Sequence, residues 1–189
     1  MNNETTILHT QRLLLRPWKE SDAEDLYRYA ANPKIGNSAG WPPHTSVENS
    51  REIIRTVLMG AESYSVVLKE SGEVVGSIGL LIGPDKVDSE QIGSDACEIG
   101  YWIGEPYWGK GLIPEATRAL LRHAFADLHF ASVWCAYFEG NEKSRRVQEK
   151  CGFTYHHTEE NKLVKPVGKR FTVHFTRLTR EAWEAMQAK

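Results

Sequence analysis

A β-strand, a glycine-containing turn and an amphipathic helix follow one another without interruption in the middle of the chain. The strand is "ACEIGYWI" (Ala96–Ile103), and the helix is predicted from Leu112 to about Ala126, with alanines and leucines at helical spacing. Pro114 suits the first turn of a helix. The connecting "GEPYWGKG" (Gly104–Gly111) therefore leads from the end of a strand to the N-terminus of a helix.

The rest of the chain contains patterns of both strands and helices. The segment Arg12–Trp18 alternates polar and apolar residues, as a strand does. Ser21 and Glu24 have the spacing of a capping box that opens a helix, and a second such pair is Thr45 and Glu48. Further β-rich runs predict a hairpin and three later strands. The predicted order is β α α β β β α β α β β, which describes an α+β domain around a mixed sheet.

Length and composition restrict the class of protein. The 189 residues fit one domain, and the net charge of -2 gives no bulk attraction to nucleic acid or to an anionic membrane. We expect no signal peptide and no membrane span, because no apolar run approaches the roughly 20 residues that cross a bilayer. Three widely spaced cysteines suggest free thiols in a cytoplasmic protein. No metal is expected: Cys151 lies near His156 and His157, but adjacent strand residues point to opposite faces.

The connecting turn has the spacing of a nucleotide-triphosphate loop but not its chemistry. Such a loop ends in Ser or Thr, which holds magnesium, and Gly111 stands there instead. Pro106 lacks a backbone N–H group, and Tyr107 is bulky. The second half, "WGKG", keeps an anion-binding character, because Gly109 and Gly111 allow close approach of the backbone at a helix N-terminus. The sequence therefore predicts a pyrophosphate site that needs no magnesium.

Two longer segments resemble a known family. The run "EIGYWIGEPYWGKGLIPEATRALLRHAF" (Glu98–Phe125), followed by "NEKSRRVQEKCGF" (Asn141–Phe153), resembles the GNAT superfamily of acyl-CoA-dependent N-acetyltransferases. The opening "TQRLLLRPWKESDAEDL" is similar to the branch that contains the ribosomal-protein amino-terminal acetyltransferases. The resemblance covers about residues 8–180. It implies a single N-acetyltransferase domain over residues 1–189, with a mixed, mostly antiparallel, splayed central sheet flanked by helices.

The resemblance also implies a binding site for acetyl-CoA, which is the acyl donor substrate. Its pyrophosphate would be held by the glycine loop, which comprises Trp108, Gly109, Lys110, Gly111 and Leu112. Its pantetheine would pair with the strand backbone at Tyr101, Trp102 and Ile103. The family usually begins the loop with Gln or Arg, where this chain has Pro106. Asn141 either contacts the coenzyme or only caps a helix.

Two residues are candidates for the chemistry. Many family members carry a tyrosine where this chain has Gln148, and the branch that it resembles often uses a serine, which falls on Ser144. That hydroxyl would protonate the departing thiolate. Glu98 is the candidate base, because the branch that the chain resembles often places Glu there and because its alternation with Gly100 along the strand faces a cleft. The alternatives are Glu139, water alone, or a Glu98 that is merely solvated at a strand edge.

We expect transfer of acetyl to a primary amine by direct attack in a ternary complex. The alternative is a catalytically silent protein that binds coenzyme A as a sensor or partner-binding module. The acceptor is a protein N-terminus, a lysine or a small amine. Two predicted surface loops would select it: "NPKIGNSAGWPPHT" (Asn32–Thr45), which carries Trp41 and His44, and "EENKLVKPVGKR" (Glu159–Arg170). Trp41 could equally pack its loop onto the body. The protein is expected to be a monomer or a homodimer.

Overall fold

The computed structural model describes residues 6–83 and 91–188. In these ranges it contains eight strands and six α-helices. The strands are β1 (Leu8–His9), β2 (Leu13–Pro17), β3 (Ser63–Leu68), β4 (Val74–Leu81), β5 (Ala96–Ile103), β6 (Ser132–Phe138), β7 (Thr154–Val164) and β8 (Lys169–Thr179). The helices are α1 (Ala23–Ala30), α2 (Pro33–Ala39), α3 (Val47–Ile53), α4 (Leu112–Arg122), α5 (Glu142–Lys150) and α6 (Arg180–Gln187).

The first of two compact units comprises Met1–Gly79 and Tyr101–Ala119. Strands β1 to β4 pair in sequence order, each antiparallel to the next. The last residues of β5 lie beside β4, where the Gly104 N–H donates to the Val75 carbonyl at 2.8 Å. Helix α1 and the residue that follows α3 contribute buried side chains to an apolar core over this sheet, and Val47 of α3 packs against it. Its buried members are Trp18, Ala23, Leu26, Ala30, Ile54, Val67 and Val74.

The second unit comprises Leu80–Gly100 and Leu120–Lys189. Here the first residues of β5 run parallel to β6, β6 runs antiparallel to β8, and β8 runs antiparallel to β7. A small apolar core packs on this sheet, and its buried members are Ile92, Ala96, Trp134, Val173 and Phe175. One parallel pair among antiparallel ladders confirms the predicted mixed, mostly antiparallel α+β architecture. The single domain over residues 1–189 stays a prediction.

The segment "NPKIGNSAGWPPHT" was expected to be a loop, and this is wrong because its first half is helix α2. The Asn32 side chain caps the helix by accepting the Lys34 N–H at 3.0 Å, and Pro33 occupies its first turn. Gly40 ends it in the left-handed conformation, with φ of 82°. Asn, Pro and Gly are common in turns, but in this order they are also the start and stop signals of a short helix.

Both predicted capping boxes are displaced from the observed caps. Ahead of α1, Asp22 rather than Glu24 accepts a backbone bond, from the Lys19 N–H at 2.9 Å. Ahead of α3, Ser46 rather than Thr45 is the cap, and its hydroxyl accepts the Asn49 N–H at 3.0 Å. Neighbouring polar residues have similar capping ability, so the spacing alone could not select between them.

The segment "EENKLVKPVGKR" was also expected to be a loop, and this too is wrong. Strand β7 continues to Val164, and β8 starts at Lys169. The two strands are joined by a single tight turn that ends at Gly168, with φ of 63°. The segment is therefore the end of a long β-hairpin.

A buried ion pair joins β2 to the start of α1. The two terminal nitrogens of Arg16 donate to the two carboxylate oxygens of Asp22, each at 2.8 Å. The side chains are only 15% and 7% exposed, so water does little to screen the pair. Because Asp22 also accepts the Lys19 N–H, it fixes the direction in which the chain leaves the strand.

We predict that Asp22→Ala lowers the free energy of unfolding by about 3 kcal/mol, because it leaves the Arg16 charge buried without its carboxylate. Urea denaturation measures this change. Glu20→Ala is the matched control, because Glu20 pairs with Arg55 at 2.7 Å but both side chains are nearly half exposed. A loss no larger for Asp22→Ala than for Glu20→Ala would contradict a structural role for the buried pair.

Candidate active site

The connection between β5 and α4 is an exposed backbone loop. A single 3-10 turn, Glu105–Tyr107, follows the strand, and Gly109 and Gly111 then adopt φ of 76° and 75°. Such left-handed conformations favour glycine. A Cβ placed on Gly109 would meet no heavy atom of the described residues within 4 Å. The loop therefore presents open backbone directly before the N-terminus of an eleven-residue helix, where N–H groups and the helix dipole favour an anion.

Side chains of the same unit fix the first half of this loop. The indole N–H of Trp108 donates to the Ile103 carbonyl at 3.0 Å, which closes the loop on the strand that precedes it. Glu105 accepts bonds from two residues at the start of α2, Asn32 at 2.7 Å and Lys34 at 2.6 Å. The cap of α2 therefore also positions the loop.

Glu73, just before β4, anchors the middle of the loop. One carboxylate oxygen accepts the Tyr107 hydroxyl at 2.9 Å, and the other accepts the Tyr29 hydroxyl at 2.5 Å and Arg28 at 2.6 Å. The bond from Tyr29 is the largest influence that lowers the pKa of Glu73; burial opposes it, and the bonds from Tyr107 and Arg28 reinforce it. Glu73 is therefore an ionised acceptor that holds both tyrosines. Sequence reasoning missed this cluster, because its members lie on three distant segments.

Along β5, the backbone N–H and C=O groups of successive residues point alternately to the two edges of the strand. A Cβ on Gly76 of β4 would overlap the Trp102 carbonyl oxygen, and the Gly104 N–H bonds to Val75 of the same strand. Residues 102 and 104 therefore turn their backbone groups to β4. The backbone groups of Tyr101 and Ile103 consequently point to the opposite edge of the strand.

Trp41 and His44, the predicted acceptor-binding residues, pack next to β5. The Trp41 ring lies 5.8 Å from the Trp102 ring and 5.3 Å from the His44 ring, measured between centroids. His44 is buried, and its Nδ1 lies 2.8 Å from the Ser50 hydroxyl. Burial lowers the pKa of His44, so the imidazole is neutral at neutral pH. The structure thus brings both residues together with one of the predicted coenzyme-binding residues.

Glu98, the candidate base, lies in the part of β5 that belongs to the second unit. It is only 5% exposed and pairs with Trp134 at the last position of the parallel ladder. Side chains alternate along a strand, so Glu98 faces the same side as the exposed Gly100, where an added Cβ would meet no described heavy atom within 4 Å. The solvated alternative for Glu98 is wrong. Glu139, the other candidate base, is exposed in the turn after β6.

Ser144 lies in a partly buried network of hydrogen bonds around Gln148. The amide nitrogen of Gln148 donates to the Ser144 hydroxyl oxygen and to the Ala136 carbonyl, both at 3.1 Å, and its oxygen accepts the Thr176 hydroxyl at 2.7 Å. A carbonyl only accepts, so the Ala136 contact fixes which end of the amide faces Ser144. Gln148 is 1% exposed. The sequence motif indicated only that Gln148 stands where many family members carry a tyrosine.

Asn141 caps helix α5, as one of its two interpretations predicted. Its side-chain oxygen accepts the Ser144 N–H at 3.2 Å. The cap therefore orients the first turn of the helix that carries Ser144.

The described residues contain no group of three or more His, Cys, Asp or Glu side chains that could hold a metal ion. Cys97, Cys135 and Cys151 are buried free thiols. Within residues 6–83 and 91–188, no helix has the length and apolar character needed to cross a bilayer.

Comparisons with known proteins agree on one family. The model of the acetyltransferase (GNAT) domain matches residues 12–154. The chain is 33% identical over 151 residues to the uncharacterised N-acetyltransferase p20 of Bacillus licheniformis, across 77% of this chain and 81% of that protein. It is 29% identical over 125 residues to the ribosomal-protein-serine acetyltransferase of Escherichia coli K12, across 62% and 65%. A crystal structure of a GNAT-family acetyltransferase from Bacillus anthracis gives a TM-score of 0.78 at 22% identity, across 93% and 99%.

The Glu73 cluster predicts that the protein loses stability at acidic pH. Its lowered pKa contributes stability that is fully present above the ordinary value of 4.5 and is lost as pH falls through the folded pKa. We predict that the difference in free energy of unfolding between wild type and Glu73→Gln is largest near neutral pH and shrinks steadily below pH 4.5. Denaturant titrations at several pH values measure it. Glu70→Gln, at the exposed turn of the same hairpin, is the control. A difference that is constant with pH would remove Glu73 as the ionised anchor.

Proposed function

Because the chain belongs to the GNAT family of N-acetyltransferases, we propose that it transfers acetyl from acetyl-CoA to a primary amine by direct attack in a ternary complex. The observation that carries this proposal is the exposed glycine loop at the N-terminus of α4. Gly109 and Gly111 are both left-handed there, and the described residues leave the backbone beside Gly109 open. That geometry suits a pyrophosphate and offers no hydroxyl for magnesium.

The coenzyme would be held mainly by backbone groups. Its pyrophosphate would meet the loop from Trp108 to Leu112. Its pantetheine would pair with the edge of β5 to which Tyr101 and Ile103 turn their backbone groups, while Trp102 contributes its ring. The Lys110 ammonium lies 5.1 Å from the centre of the Tyr107 ring and adds positive charge at the loop. When bound, coenzyme A supplies the acetyl group as a thioester.

Glu98 is proposed as the base, because the attacking amine has to be neutral. Deprotonating a lysine amine at pH 7 costs ~4.6 kcal/mol, and a terminal α-amine costs only ~1.1 kcal/mol. A carboxylate removes this proton directly or through water. The burial of Glu98 beside the open face at Gly100 supports this role over that of the exposed Glu139.

Ser144 is proposed to donate a proton to the departing thiolate. The bond from Gln148 occupies an acceptor site of the Ser144 oxygen and so orients the hydroxyl. Donation to that oxygen also makes the hydroxyl a better proton donor, since hydrogen bonds in a chain polarise one another. Asn141 contributes by capping the helix that carries Ser144, and contact between Asn141 and the coenzyme is proposed as well.

The acceptor is proposed to be a protein N-terminus or a small molecule with a primary amine. The name of the Escherichia coli relative favours a ribosomal protein. Trp41 is proposed to contact the acceptor, with His44 holding its ring, because the two pack together beside Trp102. The three free thiols favour a cytoplasmic location. We propose that no metal, nucleic acid or membrane takes part. The protein would act as a monomer or a homodimer.

The first experiment measures acetyl transfer from acetyl-CoA to peptide N-termini, lysine peptides and polyamines by mass spectrometry. We predict transfer by the wild-type protein and a fall in kcat of about ten- to a thousandfold for Glu98→Gln, since a general base contributes roughly 10²–10⁴-fold. Binding of acetyl-CoA should be nearly unchanged. Glu139→Gln is the matched control and should retain activity. If no amine is acetylated although the coenzyme binds, the protein is a silent coenzyme sensor.

The second experiment tests whether Ser144 and Gln148 act together. We predict that Ser144→Ala lowers kcat by about ten- to a hundredfold with little change in acetyl-CoA affinity. Gln148→Leu should then lower kcat in the wild type but not in the Ser144→Ala background, because both changes remove the same oriented hydroxyl. Thr176→Val is the conservative control: it removes the hydrogen bond to Gln148 and a second one to the Cys135 carbonyl, but it leaves the bond from Gln148 to Ser144. Additive losses would mean that Gln148 supports the fold rather than Ser144.

A further inference from the structure

We propose that Arg12 is an additional coenzyme-binding residue, which braces the glycine loop and donates a hydrogen bond to the pyrophosphate. This inference rests on the proposed function. Arg12 lies just before β2, 98 positions before Lys110 in the chain, and the loop motif gave no indication of it.

The guanidinium of Arg12 spans the loop and the first turn of α4. Its Nε donates to a Glu115 carboxylate oxygen at 2.7 Å, and its Nη1 donates to the Lys110 carbonyl at 3.0 Å. The remaining nitrogen, Nη2, lies 3.7 Å from the position that a Cβ would occupy on Gly111. The Nε and Nη1 groups of the guanidinium therefore hold the helix and the loop, and Nη2 lies beside the exposed Gly111.

Glu115 determines the direction in which the fork points. Its other carboxylate oxygen accepts the Thr10 hydroxyl at 2.6 Å and the Arg12 backbone N–H at 2.8 Å. Burial raises the pKa of Glu115, but the bonds from Thr10 and Arg12 outweigh it and leave the pKa below its ordinary value. Glu115 is thus ionised at neutral pH and fixes both the backbone and the side chain of Arg12.

The charge of Glu115 also decides what Arg12 contributes. A carboxylate at 2.7 Å offsets most of the long-range attraction that Arg12 would exert on an anion. The remaining contribution of Arg12 is an N–H donor with a fixed direction. It belongs to a planar guanidinium, whose geometry matches phosphate oxygens better than that of an ammonium. We infer that Nη2 supplies a side-chain donor to a loop whose other donors are backbone N–H groups.

The competing explanation is that Arg12 only braces the loop. Both explanations predict weaker binding of coenzyme A when Arg12 is removed, so binding of the whole coenzyme does not distinguish them. S-acetylpantetheine, which has no pyrophosphate, shows only whether the loss is confined to the phosphates. Tyr107→Phe separates the two explanations, because it removes the bond that ties the loop to Glu73 without removing a donor to the pyrophosphate. A brace alone predicts similar losses for Arg12→Gln and Tyr107→Phe, whereas a contact with the pyrophosphate predicts a clearly larger loss for Arg12→Gln.

The experiment compares wild type, Arg12→Gln, Arg12→Lys, Tyr107→Phe and Arg55→Gln. Arg55 is the matched control: its side chain is 44% exposed against 46% for Arg12, and the shortest ion pair of each is to a glutamate at 2.7 Å. Arg55 also has longer ion pairs with Glu48 and Glu52. Calorimetry gives Kd for coenzyme A and 3′-dephospho-coenzyme A, and transfer kinetics give kcat/KM for acetyl-CoA and S-acetylpantetheine. Melting of the free protein gives its stability.

We expect Arg12→Gln to weaken both coenzymes by about tenfold, the lower end for a hydrogen bond to a charged group at a partly exposed site. The kcat/KM for S-acetylpantetheine should stay within about twofold. Arg12→Lys should fall between Arg12→Gln and wild type, because an ammonium can keep the pair with Glu115 but not the second arm of the fork. Arg55→Gln should match the wild type.

Four results would overturn the inference. Equal losses for Arg12→Gln and Tyr107→Phe would leave Arg12 as a brace alone, and equal losses for acetyl-CoA and S-acetylpantetheine would place its effect outside the phosphates. A loss seen for coenzyme A but absent for its 3′-dephospho form would place the contact at the 3′-phosphate. Unchanged affinities would remove the contact altogether. If Arg12→Gln fails to fold, Arg12→Lys gives the same comparison. Failure of the wild type to bind coenzyme A would instead refute the proposed function, so the two failures are distinguishable.

Discussion

The left-handed backbone at Gly109 and Gly111 is the constraint on which the candidate site depends. It lets the chain turn from β5 into α4 while exposing backbone groups at the start of the helix. An exposed loop of this kind is mobile unless other residues hold it. The first unit supplies these residues from three segments: Tyr107 bonds to Glu73, Glu105 bonds to Asn32 and Lys34, and the Lys110 carbonyl bonds to Arg12. Helix α1 thus contributes to the core, and both α1 and the start of α2 carry residues that anchor the loop.

In the second unit, buried polar groups have a similar anchoring role. Gln148 is almost fully buried, and each end of its amide has partners. A buried amide with its partners in place is rigid, because each lost bond would leave an unsatisfied polar group. The same cost applies to the buried Glu98 carboxylate. A chain that only needed to fold could have apolar residues at these positions, so the presence of buried polar groups supports the proposed chemical roles of Glu98 and Ser144.

Local sequence patterns predicted the elements that flank the loop. They did not predict the contacts between residues that are far apart in the chain. Strand β5 was predicted with the bounds that the structure gives, and α4 with the right start, because apolar periodicity and the glycines lie within one window. Helix α2 was missed, since its capping Asn and terminal Gly were interpreted as turn residues. The bonds to the loop from Glu73 and Arg12 join residues 34 and 98 positions apart, and no pattern in one sequence pairs them.

The central claim is that the glycine loop binds the pyrophosphate of coenzyme A without magnesium, and thermal melts of wild type and Gly111→Val test it most directly. At one hundred times Kd, a ligand adds about 2.7 kcal/mol, or roughly 5–11 °C in Tm for a protein of this size. We predict that shift for wild type with coenzyme A and little shift for Gly111→Val, whose branched side chain is strained at φ of 75° and blocks the loop. ATP with magnesium should stabilise neither. Equal stabilisation of both proteins by coenzyme A, or stabilisation of wild type by ATP with magnesium alone, would contradict the claim.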